Sequence, residues 1–317
     1  MLLAVAVGSV RIPLPELVDA LAAGGAGSGD VTGTILWKIR LPRVLLAALV
    51  GASLAVAGAT YQGIFQNPLA DPYLLGAASG ASLGAAAAIV LGVGGLVGLS
   101  TAAVLPYAAF VSAALAVLLV LVMARRGGRI PLLSLILAGV VIGSTFSAAT
   151  SFLMLVSPQQ TAGVLAWLLG SFGRASWSSI AGIAPLLLVS FLACLLAARQ
   201  LDLLQLGDEA AAQLGVRVEA LKYTLIGFAT LATAAAVSAS GIIGFVGLIA
   251  PHAVRLAFGA GHRLLLPLAA CAGATLTVVA DLAARTVIAP AEVPIGVVTA
   301  LIGGPFFLWL LRREGRA

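Results

Sequence analysis

The sequence predicts an all-α polytopic membrane protein with about ten transmembrane helices, and three observations support this fold class. Only 9% of its 317 residues are charged and 62% are hydrophobic, whereas about 25% of the residues in an average soluble domain are charged. Apolar stretches of about 20 residues recur along the chain, separated by Gly, Pro or charged residues, as membrane helices require. These stretches do not alternate apolar with polar residues, which excludes an outer-membrane barrel.

The predicted helices follow one another in a single transmembrane domain, residues 1–317. The opening MLLAVAVGSV is too short to cross a membrane, and we interpret residues 1–36 as a truncated first helix and an outer loop. Residues 163–172 are also too short, and they predict a surface or re-entrant helix. The other apolar runs predict spans at 44–64, 73–95, 101–124, 132–156, 180–198, 223–240, 242–258, 264–288 and 295–311.

Small residues are frequent in these spans. The chain contains 37 glycines, and clusters such as GASLAVAGA (51–59) and GAASGASLGAA (76–86) combine Gly with Ala and Ser. Such clusters let helix backbones approach closely in lipid, so we expect a tightly packed bundle. Cys194 and Cys271 lie in apolar runs without a CxxC partner, and we expect both to be small core residues.

The basic residues predict the orientation of the spans. The 17 lysines and arginines are scattered in short loops, so we interpret them as topology signals and expect no nucleic-acid partner. Cations at alternate ends of successive spans share one face, which the positive-inside rule makes cytoplasmic. This face carries Arg125, Arg126, Arg129, Arg199, Arg217, Lys222, Arg255, Arg263, Arg312, Arg313 and Arg316.

The same count of spans places Arg40, Arg43 and Arg285 outside, together with Arg174. The positive-inside rule disfavours cations on that side. The first three arginines therefore require an explanation other than topology.

A few polar residues inside or beside the spans are candidates for local roles. Asp281 lies within the ninth span, and we expect it to pair with Arg285 one helical turn later. Glu292 lies in the outer loop, where it would pair locally or orient the outer arginines. Asn67 and Asp71 flank prolines in NPLADP, and we expect them to cap a turn on the cytoplasmic side.

Residues 199–222 form the longest polar segment and lie on the predicted cytoplasmic face. Asp208 and Glu209 suit the first turn of a short helix, and Gly215 suits a left-handed cap at its end. From the residues alone, this segment is either a well-capped loop helix or an element on which a partner docks.

Several ordered stretches carry a family resemblance. They are IRLPR (39–43), QNPLADPYLLGAASGASLGA (66–85), LGDEAAAQLG (206–215), GFVGLIAPHAVRL (244–256) and AEVPIGVVTALIGGPFFLWLL (291–311). Together they closely resemble the transmembrane permease subunits of the ABC importers for iron chelates (siderophores or haem) and vitamin B12, the FecCD type. The resemblance runs from about Trp37 to the C-terminus.

The resemblance implies a multi-pass permease in the prokaryotic cytoplasmic (inner) membrane that works as a homodimer. It implies two ATPase subunits, which hydrolyse ATP with magnesium, and an extracytoplasmic substrate-binding lipoprotein. The implied substrate is an iron chelate (siderophore or haem) or cobalamin, and the sequence does not distinguish between them. A heterodimer with a paralogous permease is left open as well.

The resemblance also implies roles for individual residues. Arg40, Arg43 and Arg285 match arginines that dock carboxylates of the binding protein, and we expect them to be solvent-exposed before docking. The ATPase-coupling residues would be Gly207, Asp208, Glu209, Gln213, Leu214 and Gly215. The translocation pathway and cytoplasmic gate would involve Leu132, Leu133, Ser134, Ser144, Ser147 and Ser151.

Catalysis by the chain itself is not expected. The sequence has no GxxxxGK[ST] loop, and neither His252 nor His262 has a nucleophile or further metal ligand at a suitable spacing. We therefore expect a transport subunit with no catalytic residues, no metal and no bound cofactor. The alternative is a secondary transporter driven by an ion gradient, which would need mid-membrane ionisable groups or unwound helices, and inverted repeats.

Overall fold

The fold is described here from a computed structural model, which covers residues 2–6, 13, 15–16, 18–19, 31–127 and 130–314. No β-strand occurs among these residues, and the elements are all helical. The helices are α1 (Leu2–Ala6), α2 (Val31–Phe65), α3 (Ala77–Val90), α4 (Val93–Leu96), α5 (Thr101–Ala124), α6 (Leu132–Val156), α7 (Pro158–Leu168), α8 (Trp177–Leu196), α9 (Ala198–Leu204), α10 (Asp208–Gln213), α11 (Val218–Ser240), α12 (Val246–Phe258), α13 (His262–Ala284) and α14 (Ile295–Glu314).

Six of the described helices, α2, α5, α6, α8, α11 and α13, are long and apolar enough to cross a membrane, and α3, α12 and α14 add shorter apolar segments. Serine side chains cap two of these helices at their starts. The Ser100 hydroxyl accepts a 3.2 Å hydrogen bond from the backbone N–H of Ala103 at the start of α5. The Ser176 hydroxyl accepts a 3.1 Å bond from that of Ser179 at the start of α8. Pro158 occupies the first turn of α7, where no N–H donor is needed.

Helix α2 is the central helix of the bundle, and it packs against α8, α11, α12 and α13. Its contacts with α12 and α13 are made by glycines. A Cβ placed on Gly51 would overlap the carbonyl oxygen of Gly273 in α13, and one placed on Gly58 would overlap that of Gly247 in α12. These backbones touch, which confirms the expectation of a tightly packed bundle.

Two non-helical segments meet inside the bundle. The chain between α2 and α3 turns back, so that Pro72 lies against Gly247. The Tyr73 hydroxyl donates a 3.1 Å hydrogen bond to the carbonyl oxygen of Ile243, in the break between α11 and α12. Phe245 follows with a left-handed φ of 68°. Buried breaks of this kind need partners for their free backbone groups, and the Tyr73 side chain supplies one.

This arrangement corrects three sequence-based expectations. The spans expected at 73–95 and 242–258 start later, at Ala77 and Val246, because the preceding residues form the two breaks. The helix expected to begin at residue 44 extends back to Val31, with π-helical hydrogen bonding over Ile35–Arg40.

Other expectations about helices and side chains are confirmed. Helices α5 and α6 have the expected bounds, and α7 is a short helix near 163–172. Asn67 Oδ1 and Asp71 Oδ1 accept local hydrogen bonds from the backbone N–H groups of Leu69 and Tyr73, as expected for turn capping. Of the two cysteines, only Cys194 is buried; Cys271 is exposed on α13, so its assignment to the core was wrong.

The glycine contact between α2 and α13 gives a stability prediction. Gly51→Ala should lower the free energy of unfolding by about 2 kcal/mol or more, because the new methyl group overlaps backbone that cannot move without separating the helices. Gly227→Ala is the matched control, since this glycine lies within α11 with no atom near its Cβ position. That variant should be neutral or stabilising by about 0.5–1 kcal/mol. Thermal unfolding in detergent measures both, and equal behaviour would contradict the close contact.

Candidate functional site

At one end of the bundle, Arg43 joins two carboxylates from distant parts of the chain. Its Nε and Nη2 donate hydrogen bonds of 3.0 and 2.8 Å to Oδ1 of Asp281 in α13. Its Nη1 and Nη2 also donate bonds of 2.8 and 3.0 Å to Oε1 and Oε2 of Glu292, in the loop between α13 and α14. The planar guanidinium group thus binds one carboxylate on each side, a geometry that suits arginine better than lysine.

Arg40 and Arg285 complete this group, which we call the outer arginine cluster: Arg40, Arg43, Asp281, Arg285 and Glu292. Nη1 of Arg40 donates bonds of 2.7 and 2.8 Å to the carbonyl oxygens of residues 5 and 6, and Nη2 of Arg285 donates a 2.5 Å bond to that of residue 4. These oxygens lie at the C-terminus of α1. A helix C-terminus carries partial negative charge, so both cations stabilise it.

The three arginines are buried, which corrects the expectation that they are solvent-exposed. Arg40, Arg43 and Arg285 are only 4%, 9% and 6% exposed. Their burial is explained by the two carboxylates and the α1 carbonyl groups, which replace water around the charges. The expected pair between Asp281 and Arg285 is present, with Arg285 Nε 3.5 Å from Asp281 Oδ2. Asp281 nevertheless makes its shorter contacts with Arg43.

The two carboxylates of the outer arginine cluster differ in accessibility. The Asp281 side chain is 2% exposed, whereas that of Glu292 is 45% exposed. The hydrogen bonds from Arg43 lower the pKa of Glu292 below its usual value and outweigh the opposing effect of partial burial. Glu292 therefore stays ionised at neutral pH.

At the opposite end of the bundle, α10 projects from the segment 199–222. Gly207 (φ +100°) precedes it and Gly215 (φ +86°) follows it, so the expected left-handed end is confirmed. Asp208 Oδ2 accepts a 2.5 Å bond from Nζ of Lys222 at the start of α11. Glu209, Gln213 and Leu214 are exposed, while Ala211 is buried against the bundle. The helix thus presents an outward surface on a base that is fixed to α11.

Side-chain hydrogen bonds fix the rest of this segment to the transmembrane helices. Gln205 Nε2 donates to the carbonyl oxygen of Gly63 (2.8 Å), and Gln66 Nε2 donates to that of residue 204 (2.7 Å). His262 Nδ1 lies 2.6 Å from Oδ1 of Asp202. These contacts bring together the end of α2, the segment 199–222 and the start of α13, which the sequence analysis assigned to one face.

The serines expected to line a pathway occupy one exposed face of α6. Ser144, Ser147 and Ser151 are exposed and spaced by three and four residues, which places them on one side of the helix. The Ser151 hydroxyl donates to the carbonyl oxygen of Ser147 (3.0 Å), as polar residues in membrane helices often do. Leu132 and Leu133 are exposed, and Ser134 is partly buried, at the start of the same helix.

The comparisons with known proteins agree with this architecture. Residues 1–313 match the FecCD transport family. The chain belongs to that family.

Two relatives are each 43% identical. A cobalamin import system permease protein, BtuC, of Halobacterium salinarum aligns with 99% of this chain and 84% of its own length. A hemin transport system permease protein, HmuU, of Yersinia pestis aligns with 94% and 93%. A solved inward-facing conformation of a metal-chelate type ABC transporter is 33% identical, with a TM-score of 0.83 over 98% of this chain and 94% of the other. This FecCD member therefore has the fold of an ABC importer permease.

Sequence reasoning missed the ion pair between Arg43 and Asp281. Arg43 and Asp281 are 238 residues apart, and no local pattern links them. A usable signal was present, however: an isolated acidic residue inside a span requires a cation nearby, and the outer arginines were the available cations.

The unequal burial of the two carboxylates yields a prediction. Asp281→Asn should lower the free energy of unfolding by about 3–5 kcal/mol, because it leaves the buried guanidinium group of Arg43 without its enclosed partner. Glu292→Gln should change it by about 0–1 kcal/mol, since water can solvate that side of the pair. Denaturant unfolding of both variants in detergent measures the difference. Equal losses would show that the two carboxylates contribute alike.

Proposed function

We propose that this chain is the transmembrane subunit of an ABC importer and forms the translocation pathway for an iron chelate (siderophore or haem) or cobalamin. The observation that carries the proposal is the family match along residues 1–313. Both 43% identical relatives are import permeases, one for cobalamin and one for hemin. Both compounds are large metal chelates, which makes this the substrate class that the relatives share.

The proposed complex contains two copies of this chain, two ATPase subunits and an extracytoplasmic substrate-binding lipoprotein, in the cytoplasmic (inner) membrane. ATP and magnesium would be bound and hydrolysed by the ATPase. The exposed face of α6 with Ser144, Ser147 and Ser151 supports a pathway between two copies, because hydroxyl groups on a helix surface suit a water-filled cavity better than lipid. Leu132, Leu133 and Ser134 would form the gate at its cytoplasmic end.

The ATPase would dock on α10. The exposed Glu209, Gln213 and Leu214 form the contact surface, while Asp208 is engaged with Lys222 and keeps the helix in place. Gly207 and Gly215 set the chain direction on either side through their positive φ angles. The Asp208–Lys222 pair attaches α10 to α11, so movement of the ATPase would reach α11 through this helix.

The binding protein would dock at the outer arginine cluster by exchange of carboxylates. Asp281 is the enclosed partner of Arg43, whereas Glu292 is the half-exposed one. A carboxylate of the binding protein could therefore take the place of Glu292 without breaking the pair with Asp281. Arg40 and Arg285, assigned to docking by the resemblance, would act at the same site after their α1 carbonyl contacts are released.

The alternative of an ion-driven secondary transporter has one supporting observation, the buried breaks before Ala77 and Val246. The carboxylate inside the membrane, Asp281, is held by Arg43 and is not free to exchange an ion. The energy source that drives uptake distinguishes the importer from the secondary transporter. Uptake that stops without ATP and persists with a protonophore supports the importer, whereas the reverse supports the secondary transporter.

The coupling role of α10 is tested in proteoliposomes that contain the chain with its ATPase and binding protein. Glu209→Lys should abolish substrate-stimulated ATP hydrolysis and uptake, because it reverses the charge of the exposed contact surface and leaves the Asp208–Lys222 pair intact. Arg263→Glu is the matched control, an exposed charge reversal on the same face outside residues 199–222. If Glu209→Lys transports like the unaltered chain, α10 does not couple.

The exchange of carboxylates makes an unusual prediction for docking. Glu292→Gln should tighten the association of the binding protein by up to about fivefold, because it removes a competitor whose exposed ion pair is worth about 0–1 kcal/mol. Arg174→Gln, which alters another exposed arginine of the outer face, should leave the affinity unchanged. The measurement is binding-protein affinity in nanodiscs across a salt series. Weaker binding by Glu292→Gln would show that Glu292 itself holds the partner.

A further inference from the structure

A cavity of about 570 Å³ opens within the coupling segment, and its wall includes Leu214 and Gly215, which are also among the proposed ATPase-coupling residues. Helix α9 contributes Arg199 and, one turn later, Leu203. The start of α11 contributes Arg217 and, one turn later, Leu221. Leu214 lines the cavity from the connection between α10 and α11. The cavity thus combines two cations with an apolar wall.

The two arginines are available to a ligand. Both are exposed. Neither has an ion-pair partner among the residues that the structure describes. Three of the four acidic residues in 199–222 are engaged elsewhere: Asp202 contacts His262, Asp208 contacts Lys222, and Glu219 accepts a hydrogen bond from the backbone of residue 130. The fourth, Glu209, does not line the cavity. The cavity therefore carries two positive charges that are not neutralised.

An apolar row on α8 ends close to the cavity residue Arg199 along the chain. Leu188, Leu192 and Leu196 are 58%, 45% and 83% exposed and follow one another at four-residue spacing. This spacing places them on one face of the helix. The row ends three residues before Arg199. Exposed leucines on a membrane span suit contact with acyl chains, and the end of a span is where lipid headgroups are expected, so Arg199 would lie near that region.

We propose that this cavity binds an anionic glycerophospholipid. The phosphate of the headgroup would lie between Arg199 and Arg217, and the acyl chains would follow Leu203 and Leu221 onto the exposed leucines of α8. Arginine is suited to phosphate because its fork donates two parallel hydrogen bonds. Basic pockets between transmembrane helices on the cytoplasmic side are a recognised form of lipid headgroup site.

Apolar lining and closeness to the end of a membrane span favour a lipid over a free phosphate ion or the ATPase. A free phosphate ion would use the arginines but leave the leucines of the cavity uncovered by apolar atoms. The ATPase would contact Glu209 and Gln213, which do not line the cavity, whereas Arg199 follows the end of a membrane span by three residues. The inference therefore does not depend on the proposed substrate.

The test uses the full chain, purified in detergent and titrated with phosphatidylglycerol while bound lipids are counted by native mass spectrometry. Arg199→Gln and Arg217→Gln should each weaken binding of the most tightly held phosphatidylglycerol molecule by about fivefold. The double variant should weaken it by about 25-fold, since each cation near a headgroup contributes about 1 kcal/mol. Arg263→Gln, an exposed arginine on the same face that does not line the cavity, is the control and should bind as the unaltered chain does. Circular dichroism and unfolding temperature confirm that the variants are folded.

Three further arms identify the occupant. Phosphatidylcholine should bind more weakly than phosphatidylglycerol, and inorganic phosphate should not displace the bound lipid. Addition of the ATPase subunit should leave the lipid in place. Equal binding of phosphatidylglycerol by the variants and the unaltered chain would overturn the proposal. So would displacement by phosphate, which indicates a simple anion site, or displacement by the ATPase, which indicates a protein interface.

Discussion

Direct contact between helix backbones at α2 is the constraint on which the rest of the structure depends. Gly51 and Gly58 bring α2 against Gly273 and Gly247 without intervening side chains. Lipid gives no hydrophobic reason for helices to associate, so packing of this closeness must supply the attraction. The residues at both ends of α2 and α13 are placed by these contacts, including Arg43 and Asp281, which can meet only because the two helices touch.

The outer arginine cluster shows how charge is tolerated at the end of such a bundle. Removing three arginines from water would be costly if they were isolated. Here two carboxylates and the carbonyl groups at the end of α1 surround them. The cluster also fixes the loop that carries Glu292 to α2, so the same charges that could receive a partner first hold the protein's own outer loop.

The sequence predicted most of the helices and the grouping of their ends, because apolar length and basic residues are local signals. It did not predict the breaks before Ala77 and Val246. Those depend on the Tyr73 side chain reaching the carbonyl of Ile243, a contact across 170 residues. The burial of Arg43 was missed for a similar reason. Its position relative to the membrane could be counted from the spans, whereas its partners are set by which helices pack together.

Helices α2 and α13 connect the two candidate sites physically. Helix α2 carries Arg43 in its first half and, about 30 Å away by helical rise, Gly63, whose carbonyl oxygen accepts a hydrogen bond from Gln205 in the coupling segment. Helix α13 runs alongside, from Asp281 in the outer cluster to His262, which contacts Asp202 in α9. Because the backbones touch at Gly51 and Gly273, the two helices cannot slide without separating. A docking event that shifts Arg43 would therefore move this pair as one unit, and its far end is attached to the segment where the ATPase is proposed to act.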